Sequence, residues 1–297
     1  MDAPVDGLLL VNKPQGPTSH DVVGRIRRCL RQKRVGHAGT LDPMASGLLP
    51  LMLGRATRLL RFLPHSPKCY RGTLQLGRAT DTDDVTGRTL AEHSGALPER
   101  SAVLAAAGKL LGRSMQIPPA YSARKVGGKR LYELARRGET VEAPAKEIEV
   151  FSLDLLPGEQ PGFFGFTTEV SPGTYIRGLA RDLGATLGCG GVLASLERTR
   201  IGPLELSGAV PMPEPDDPAV RERLLESVLP LERIPLEAET LQLSEVEQAQ
   251  IFTRGGFLDW EQPTPPARPV RVLAPSGNLL GVAEVRERLL RPRVVLG

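Results

Sequence analysis

The sequence predicts an α+β fold. Segments with the two-residue period of strands and segments with the 3.6-residue period of helices follow one another without the regular alternation of a doubly wound sheet. The composition is that of a folded globular protein, with 40% hydrophobic and 24% charged residues. The 297 residues suffice for two domains, and a proline-rich stretch at residues 210–218 indicates a boundary nearby. The helix predicted just after this stretch is expected to pack on the first domain. We therefore predict a large domain over residues 1–232 and a small β-rich domain over residues 233–297.

The N-terminal residues predict a strand, a helix, a loop, a second strand and a short helix. Residues 7–12 are an apolar run that ends at a Pro-Gln-Gly-Pro segment. Thr18 and Asp21 have the spacing of a capping box, and the apolar residues that follow, up to Leu30, have helical spacing. Residues 35–43 contain two glycines and a proline and are predicted as loop. Residues 48–53 are then predicted as a strand and residues 56–63 as a short helix.

The rest of the chain continues the mixture of strands and helices. A polar turn is predicted at residues 81–87, and two alternating segments favour a hairpin. Predicted strands are residues 68–76, 147–155, 163–170, 270–273, 279–285 and 294–296, and predicted helices are residues 101–111, 129–137, 175–187, 219–228 and 244–253.

Composition and pattern exclude several classes of protein. No apolar run approaches the roughly 18 residues that cross a bilayer, and the N-terminal residues lack the basic and apolar regions of a signal peptide. The three cysteines are isolated and the four histidines lack ligand spacing, so neither a disulfide framework nor a metal module is expected. We expect a cytoplasmic protein, and a monomer, because no heptad pattern is present.

Positive charge is concentrated in the first two thirds of the chain. The net charge is +9 over residues 1–200 and −5 over residues 201–297. Between Val22 and Arg71, eleven basic residues accompany a single acid, Asp42. Two interpretations remain open at this point: a basic face that is simply solvated, or a positive potential that attracts a polyphosphate partner.

The single acid of this stretch lies in the loop Gly-His-Ala-Gly-Thr-Leu-Asp-Pro. Surrounding cations favour the ionised form of Asp42, and Pro43 restricts Asp42 to extended geometry. Gly36 and Gly39 allow the backbone to turn and approach a ligand closely. An ionised carboxylate on a rigid loop among cations suits covalent catalysis or charge stabilisation. An Asp-Pro pair is also a common turn, so spacing alone leaves a structural role open.

Two tyrosines have basic neighbours along the chain. Tyr70 precedes Arg71, and Tyr175 lies two residues before Arg177. Such pairs stack a nucleobase and hold its phosphate; the alternative is a tyrosine half-buried in a regular element.

Two further segments suggest ligands on weaker grounds. Asp81, Asp83 and Asp84 resemble a Mg²⁺ cluster but lack the glycine and distal glutamate of an EF-hand, so a polar turn is the alternative. Gly127-Gly128-Lys129 lacks the upstream glycine and the following Ser or Thr of a P-loop.

Five segments, taken together and in order, resemble the bacterial tRNA pseudouridine synthase B (TruB) family. The Gly-His-x-Gly-x-Leu-Asp-Pro loop is highly specific for this family when it occurs together with the other segments. Gly255-Gly256 and Arg291-Pro292 resemble the small PUA-type RNA-binding domain that ends these enzymes. The five segments are residues 7–19 (GLLLVNKPQGPTS), 35–54 (VGHAGTLDPMASGLLPLMLG), 68–87 (KCYRGTLQLGRATDTDDVTG), 116–131 (QIPPAYSARKVGGKRL) and 173–190 (GTYIRGLARDLGATLGCG).

The resemblance implies a fold, a reaction and a set of site residues. The implied fold is a mixed, mainly antiparallel sheet, the pseudouridine synthase fold, followed by a PUA-like domain. The implied reaction converts uridine 55 in the tRNA T loop to pseudouridine without cofactor or metal. Asp42 matches the catalytic aspartate, Tyr70 the tyrosine against the target base, and Arg177 the arginine that pairs with the catalytic carboxylate. Implied substrate-binding residues are Lys13, His37, Tyr175 and Leu196, together with Arg124, Lys125, Lys129 and Arg130 of a T-stem-gripping segment at residues 113–140.

Two other functions compete with this hypothesis. A non-catalytic tRNA-binding or tRNA-folding protein would use the same basic surface, and it would not depend on Asp42 for activity. A metal-dependent nuclease would use Asp81, Asp83 and Asp84 and would lose its activity to a chelator. The partner expected from the resemblance is tRNA, with no membrane and no metal.

Overall fold

The computed structural model describes residues 4–121, 125–126, 129–130, 143–214, 219–262, 264 and 266–296. In these ranges the helices are α1 (Ser19–Leu30), α2 (Arg100–Gly108), α3 (Ile176–Thr186), α4 (Val220–Glu226) and α5 (Val246–Thr253), with 3₁₀ helices at Gly54–Phe62, Leu206–Gly208 and Leu231–Arg233. The strands are β1 (Gly7–Lys13), β2 (Val35–His37), β3 (Ala45–Leu53), β4 (Lys68–Leu76), β5 (Arg78–Thr80), β6 (Thr89–Glu92), β7 (Gly112–Gln116), β8 (Lys125–Val126), β9 (Lys129–Arg130), β10 (Lys146–Pro157), β11 (Phe163–Val170), β12 (Gly191–Ile201), β13 (Leu204–Glu205), β14 (Val210–Pro211), β15 (Glu239–Gln242), β16 (Leu258–Asp259), β17 (Val270–Leu273), β18 (Leu279–Arg286) and β19 (Leu289–Val295).

The chain forms two compact units. The first contains Met1–Pro43, Gly47–Pro64 and Pro203–Gly297, and the second contains Met44–Ser46 and His65–Gly202. The first unit therefore combines the N-terminal elements with a C-terminal sheet of its own. The predicted boundary between residues 232 and 233 stays a prediction.

Four strands and helix α1 form the N-terminal layer of the first unit. Strand β1 pairs antiparallel with β3 and parallel with β14, and β2 pairs antiparallel with the last residues of β3. The apolar side of α1 covers these strands, because its apolar residues recur at helical spacing. The buried residues of this core include Leu9, Val11, Val22, Val23, Ile26, Leu30, Leu49, Leu51 and Leu53.

Helix α1 begins at the predicted capping box. The Thr18 hydroxyl accepts a hydrogen bond from the Asp21 backbone N–H at 3.1 Å, and the Asp21 carboxylate accepts one from the Thr18 N–H at 2.8 Å. Such a cap stabilises a helix by about 1 kcal/mol. It also fixes the start of α1 at Ser19, whose hydroxyl binds the backbone of Leu41, next to Asp42.

The C-terminal sheet has the strand order β15-β17-β18-β19-β16 and its own core. Phe252 of α5 and Trp260 are buried against strand residues such as Val272. Three arginines of the 3₁₀ helix Gly54–Phe62 donate to backbone carbonyls at the end of this sheet. They are Arg55 to Leu296 O (2.6 Å), Arg58 to Val295 O and Arg61 to Arg293 O (3.4 Å).

The second unit is built on the antiparallel strand order β12-β4-β11-β10-β7. Helix α3 approaches β12 very closely at a pair of glycines. A Cβ added to Gly184 would lie 2.1 Å from the backbone of Gly190 and Gly191, and one added to Gly191 would lie 2.4 Å from Ala180 O. The absence of side chains at this crossing therefore lets α3 lie against the strand that carries part of the candidate site.

We expect Gly184→Ala to destabilise the protein by about 1–3 kcal/mol, because a methyl group at the α3–β12 crossing must displace backbone atoms. Urea unfolding measures the difference. Gly24→Ala is the matched control: Gly24 also lies in a helix, but nothing lies within 4 Å of an added Cβ. That change should stabilise by up to about 1 kcal/mol through helix propensity. Equal effects of the two substitutions would show that the crossing tolerates a side chain.

The predicted α+β class, with mainly antiparallel strands and a separate C-terminal sheet, is confirmed. Two local predictions are wrong, and some strands were not predicted at all. Residues 35–37 are a short strand and not loop, because β3 offers them a pairing edge. Lys129–Arg130 form strand β9, paired with β8, where a helix was predicted; residues 131–137 lie outside the described residues. Strand β12 has no counterpart among the predicted elements. Within the described ranges no helix is long and apolar enough to cross a membrane.

Candidate active site

Asp42 lies in the first unit, in the loop between β2 and β3, and is partly exposed. Ala38 N–H donates to Pro50 O at 2.9 Å, which ties the loop back onto β3. Gly39 has a φ of +83°, a left-handed conformation that favours glycine. The loop therefore turns where the sequence places its second glycine.

The residues on both sides of Asp42 are held by the segment that follows β1. The buried Ser19 hydroxyl donates to Leu41 O at 3.1 Å and accepts from Leu41 N–H at 2.9 Å. Pro43 O accepts from Gly16 N–H at 2.8 Å. The backbone is thus fixed immediately before and after Asp42. Such support orients a reactive side chain before substrate binds.

Lys13 contributes to the same support from inside the fold. It has no exposed surface, and its ammonium donates to Pro14 O (2.9 Å), Pro17 O (2.8 Å) and Pro43 O (3.5 Å). An ammonium has three donors. In this structure Lys13 therefore positions the Asp42 loop. The predicted contact with substrate stays a prediction, and it requires the side chain to leave these carbonyls.

His37 is the last residue of β2, opposite Leu51 of β3, and is partly buried. It lies five residues before Asp42 in the same loop region. Its contact with a flipped nucleotide stays a prediction.

In the second unit, Tyr70 and Leu196 lie on neighbouring strands. Tyr70 is in β4 and is 8% exposed, and Leu196 is in β12, opposite Gly72. Ser46, four residues after Asp42 in sequence, lies in this unit and donates to Leu196 O at 3.4 Å. Arg198 of β12 lies directly opposite Tyr70 and hydrogen-bonds to its side chain.

Arg177 is buried near the start of α3, with 4% of its surface exposed. Its guanidinium donates to Thr82 O at 2.8 Å and to Tyr121 O at 2.9 Å, and it forms an ion pair with buried Asp84 at 3.6 Å. These contacts fix the orientation of the planar group. The predicted pairing with Asp42 stays a prediction.

Tyr175 is the residue just before α3, and its backbone is held by a buried glutamine. Tyr175 N–H donates to Gln116 Oε1 at 2.9 Å, and Gln116 Nε2 donates to Tyr175 O at 3.1 Å. Gln116 is 2% exposed, whereas Tyr175 is partly exposed. Gln116 belongs to the motif at residues 116–131 but was not among the predicted site residues; its place in the Gln-Ile-Pro-Pro segment was the available signal.

The three aspartates of the predicted polar turn do not converge on a common point. Each pairs with a different arginine, so their charges are already balanced. Burial raises the pKa of Asp83, and its arginine opposes that shift. Among the described residues, no group of three His, Cys, Asp or Glu side chains is arranged to hold a metal ion. The pairs are Asp81 with Arg88 (3.8 Å), Asp83 with Arg181 (3.0 Å) and Asp84 with Arg177 (3.6 Å).

The predicted T-stem-gripping segment is described only in part. Strand β7 opens it, and β8 and β9 form a two-stranded antiparallel pair that contains Lys125, Lys129 and Arg130. Arg124 and residues 131–142 lie outside the described residues. The RNA contacts of these four basic residues stay a prediction.

The basic stretch from Val22 to Arg71 combines internal and solvent-facing cations. Arg55, Arg58 and Arg61 lie three residues apart on a 3₁₀ helix, whose three-residue turn places them on one side, facing the carbonyls of the C-terminal sheet. Arg27 donates to Val35 O at 3.0 Å and is still exposed. The basic stretch was interpreted as a solvated face or as an attractor of polyphosphate. The three arginines of this 3₁₀ helix fit neither interpretation, because they bind backbone carbonyls and so support the fold.

Lys68 of β4 has a charged form that its surroundings destabilise. Burial, together with the charges of Arg198 and Lys146, lowers the pKa of Lys68 to about 8. Between pH 8 and 10.5 the unfolded chain therefore binds more protons than the folded chain, so this group makes stability rise with pH. At pH 7 the buried charge costs at most about 3 kcal/mol.

Lys68→Met should consequently increase the free energy of unfolding at pH 7, and its advantage should disappear as the pH approaches 10.5. Urea unfolding of both proteins at pH 7, 9 and 10.5 measures the difference. Lys109→Met, at an exposed position, serves as the control without pH dependence. An advantage of Lys68→Met that is constant over this range would contradict the assignment.

Comparisons with known proteins identify the family of this chain. A family model described as TruB family pseudouridylate synthase (N terminal domain) matches residues 27–176. The chain is similar to proteins named tRNA pseudouridine synthase B from Synechococcus elongatus, with 43% identity and 98% of each chain covered, and from Thermobifida fusca, with 40% identity over the same shares. A protein of the same name from Leifsonia xyli is 43% identical, with 97% of this chain and 95% of the relative covered.

Solved structures show the same fold at lower identity. A chain of a Cbf5-Nop10-Gar1 complex matches with a TM-score of 0.73 and 23% identity, and a chain of an H/ACA RNP bound to a substrate RNA containing 2'-deoxyuridine matches with 0.72 and 21%. Each match covers 98% of this chain and 85% of the other. The likeness confirms the predicted fold.

Proposed function

This chain belongs to the TruB family of pseudouridylate synthases, and on that basis we propose that it isomerises uridine 55 in the T loop of tRNA to pseudouridine. It is a pseudouridine synthase, because relatives that are 40–43% identical over nearly their whole length have that activity in their name. The proposal adds the position of the target uridine, the extrusion of its base and the role of Asp42.

The observation that carries the proposal is the support around Asp42. Ser19 and Gly16 fix the backbone on either side of a partly exposed carboxylate. A nucleophile held in this way loses little entropy on reaching its transition state.

The reaction breaks an N–C glycosidic bond, turns the uracil and rejoins it through carbon. The target nucleotide must therefore leave the base stack, at a cost of a few kcal/mol. Stacking on Tyr70 offsets about 1–3 kcal/mol of that cost, and basic side chains bind the phosphates on either side. Asp42 is the nucleophile, and Arg177 orients and charge-balances it.

The remaining predicted residues surround the extruded nucleotide. His37, Tyr175 and Leu196 contact it, and the basic residues of β8 and β9, with Arg124, hold the T stem. Tyr70 is also the group that accepts the proton lost in the final step. Monomeric tRNA-bound enzyme is the expected functional state.

Tritium release from tRNA labelled with 5-³H-uridine tests the proposal, because the hydrogen at C5 leaves only when the base is rejoined through that carbon. We expect one equivalent released per tRNA by wild-type protein, and none from a transcript with cytidine at position 55. Release from the cytidine-55 transcript would contradict the assigned position. Tight tRNA binding without any release would instead favour the non-catalytic tRNA-folding function.

A further inference from the structure

Arg198 is a buried cation to which the proposed reaction assigns no role. Only 1% of its surface is exposed. Burying a guanidinium is costly unless hydrogen-bond partners compensate for the lost water. One such partner is Tyr70, directly opposite on β4, whose side chain hydrogen-bonds to Arg198. The hydrogen bond that compensates for the burial of Arg198 is thus made with Tyr70, a residue of the proposed site.

A bulge in β12 determines which arginine of this strand faces Tyr70. The pairing with β4 shifts between Arg198 and Arg200, so Thr199 is an extra residue. The Thr199 hydroxyl donates to Cys69 O at 3.3 Å and holds the bulge. Bulges redirect the side chains beside them. Arg200, in contrast to Arg198, is one-third exposed and pairs with Glu169 at 2.8 Å.

The chemistry of the two groups fixes the direction of their hydrogen bond. A guanidinium has donors only, so the phenol oxygen of Tyr70 is the acceptor. The phenol proton is therefore not used in this bond. The bond also places the positive guanidinium next to the oxygen that carries the negative charge of a phenolate. A neutral phenol does not remove a proton from carbon, whereas a phenolate does.

A second cation lies near this pair. Lys68 lies two residues before Tyr70, on the same face of β4. It is close enough to Arg198 and Lys146 for their charges to lower its pKa. Across the sheet, Thr168 of β11 lies opposite Tyr70 and donates its hydroxyl to Ser152 O at 2.7 Å, away from the phenol.

We propose that Arg198 is a positioning residue that holds the phenol oxygen of Tyr70 and stabilises its phenolate for the last step of the isomerisation. This inference rests on the proposed function. In that step the C5–H bond of the rejoined uracil breaks and the proton passes to the phenolate oxygen. The C–H electron pair forms the C5=C6 double bond, the N1=C6 pair moves to N1, and N1 takes a proton from water. Tyr70 then returns its proton to solvent.

The test compares Arg198→Lys and Arg198→Met in two backgrounds, wild type and Tyr70→Phe. Single-turnover release of tritium from C5 measures the step itself, and filter binding measures tRNA affinity. In the wild-type background we expect release to fall at least tenfold for Arg198→Met, with tRNA affinity within threefold. The rate of Arg198→Lys should reach its plateau at higher pH than that of wild type. In the Tyr70→Phe background, either substitution should change the rate less than twofold.

Arg200→Lys and Arg200→Met, on the same strand but paired with Glu169, are the matched controls and should leave release unchanged. Equal losses in both backgrounds, or an equal loss for Arg200→Met, would overturn the proposal in favour of a purely structural Arg198. If both Arg198 variants fail to fold, 3-fluorotyrosine at position 70 replaces them. Its more acidic phenol should move the pH profile to lower pH, and an unmoved profile would overturn the proposal.

The two proposals fail in different ways. Wild-type protein that releases no tritium from tRNA contradicts the proposed function. Wild-type protein that releases tritium while Arg198 and Tyr70 act independently contradicts only the role of Arg198.

Discussion

Asp42→Asn is expected to bind tRNA with unchanged or slightly higher affinity and to release tritium from 5-³H-uridine tRNA at least about 10⁴-fold more slowly than wild type. The amide has nearly the shape of the carboxylate, so the loop held by Ser19 and Gly16 should keep its conformation. The nucleophile, however, is lost. Removing a negative charge also removes a repulsion toward the RNA phosphates. Single-turnover release and filter binding measure the two effects separately.

Asp154→Asn is the matched control for this substitution. Asp154 is an exposed carboxylate on β10, and its amide variant should release tritium at the wild-type rate. Full activity of Asp42→Asn would remove the carboxylate from the mechanism. Joint loss of tRNA binding and release would make Asp42 a structural part of its loop, which is the alternative that spacing left open.

Elements that are stabilised by residues close together in sequence were predicted from short sequence patterns. Helix α1 was predicted from Thr18 and Asp21, and the structure forms that capping box. Strands β1, β4 and β11 were predicted because each has a short apolar or alternating pattern. The same reasoning failed at β12, because two bulges, at Leu193/Ser195 and at Arg198/Arg200, interrupt its alternation. A strand with interrupted alternation and several charged residues does not resemble a central strand.

The residues of the candidate site were predicted from sequence motifs, but the hydrogen bonds that hold the Asp42 loop in place were not. The sequence singled out Asp42 as the only acid among eleven cations. It gave no indication that Ser19, 22 residues from Leu41, would hold the neighbouring backbone. Burial of a charged side chain, as for Lys13 and Arg198, depends on which carbonyl or phenol the fold brings near. Partners distant in sequence leave no local pattern.

Arg177→Met is expected to lower the free energy of unfolding by about 3–5 kcal/mol, because it leaves a buried carboxylate without its cation. Arg177 and Asp84 have side chains only 4% and 5% exposed. The substitution also removes the donors to Thr82 O and Tyr121 O. Urea unfolding measures the loss, and single-turnover release should fall in the fraction that remains folded, because Arg177 also orients Asp42 in the proposed mechanism.

Arg181→Met, one turn later on α3, is the matched comparison. Its side chain is 30% exposed and pairs with Asp83 at 3.0 Å, so solvent partly screens the interaction and the loss should be smaller, about 1–2 kcal/mol. Combining Arg177→Met with Asp84→Asn removes both charges and should recover part of the stability but not the activity. If Arg177→Met were no more destabilising than Arg181→Met, the Arg177–Asp84 pair would not be the buried ion pair that its exposure indicates. Recovered stability without recovered release would separate the structural contribution of this arginine from its action on the catalytic carboxylate.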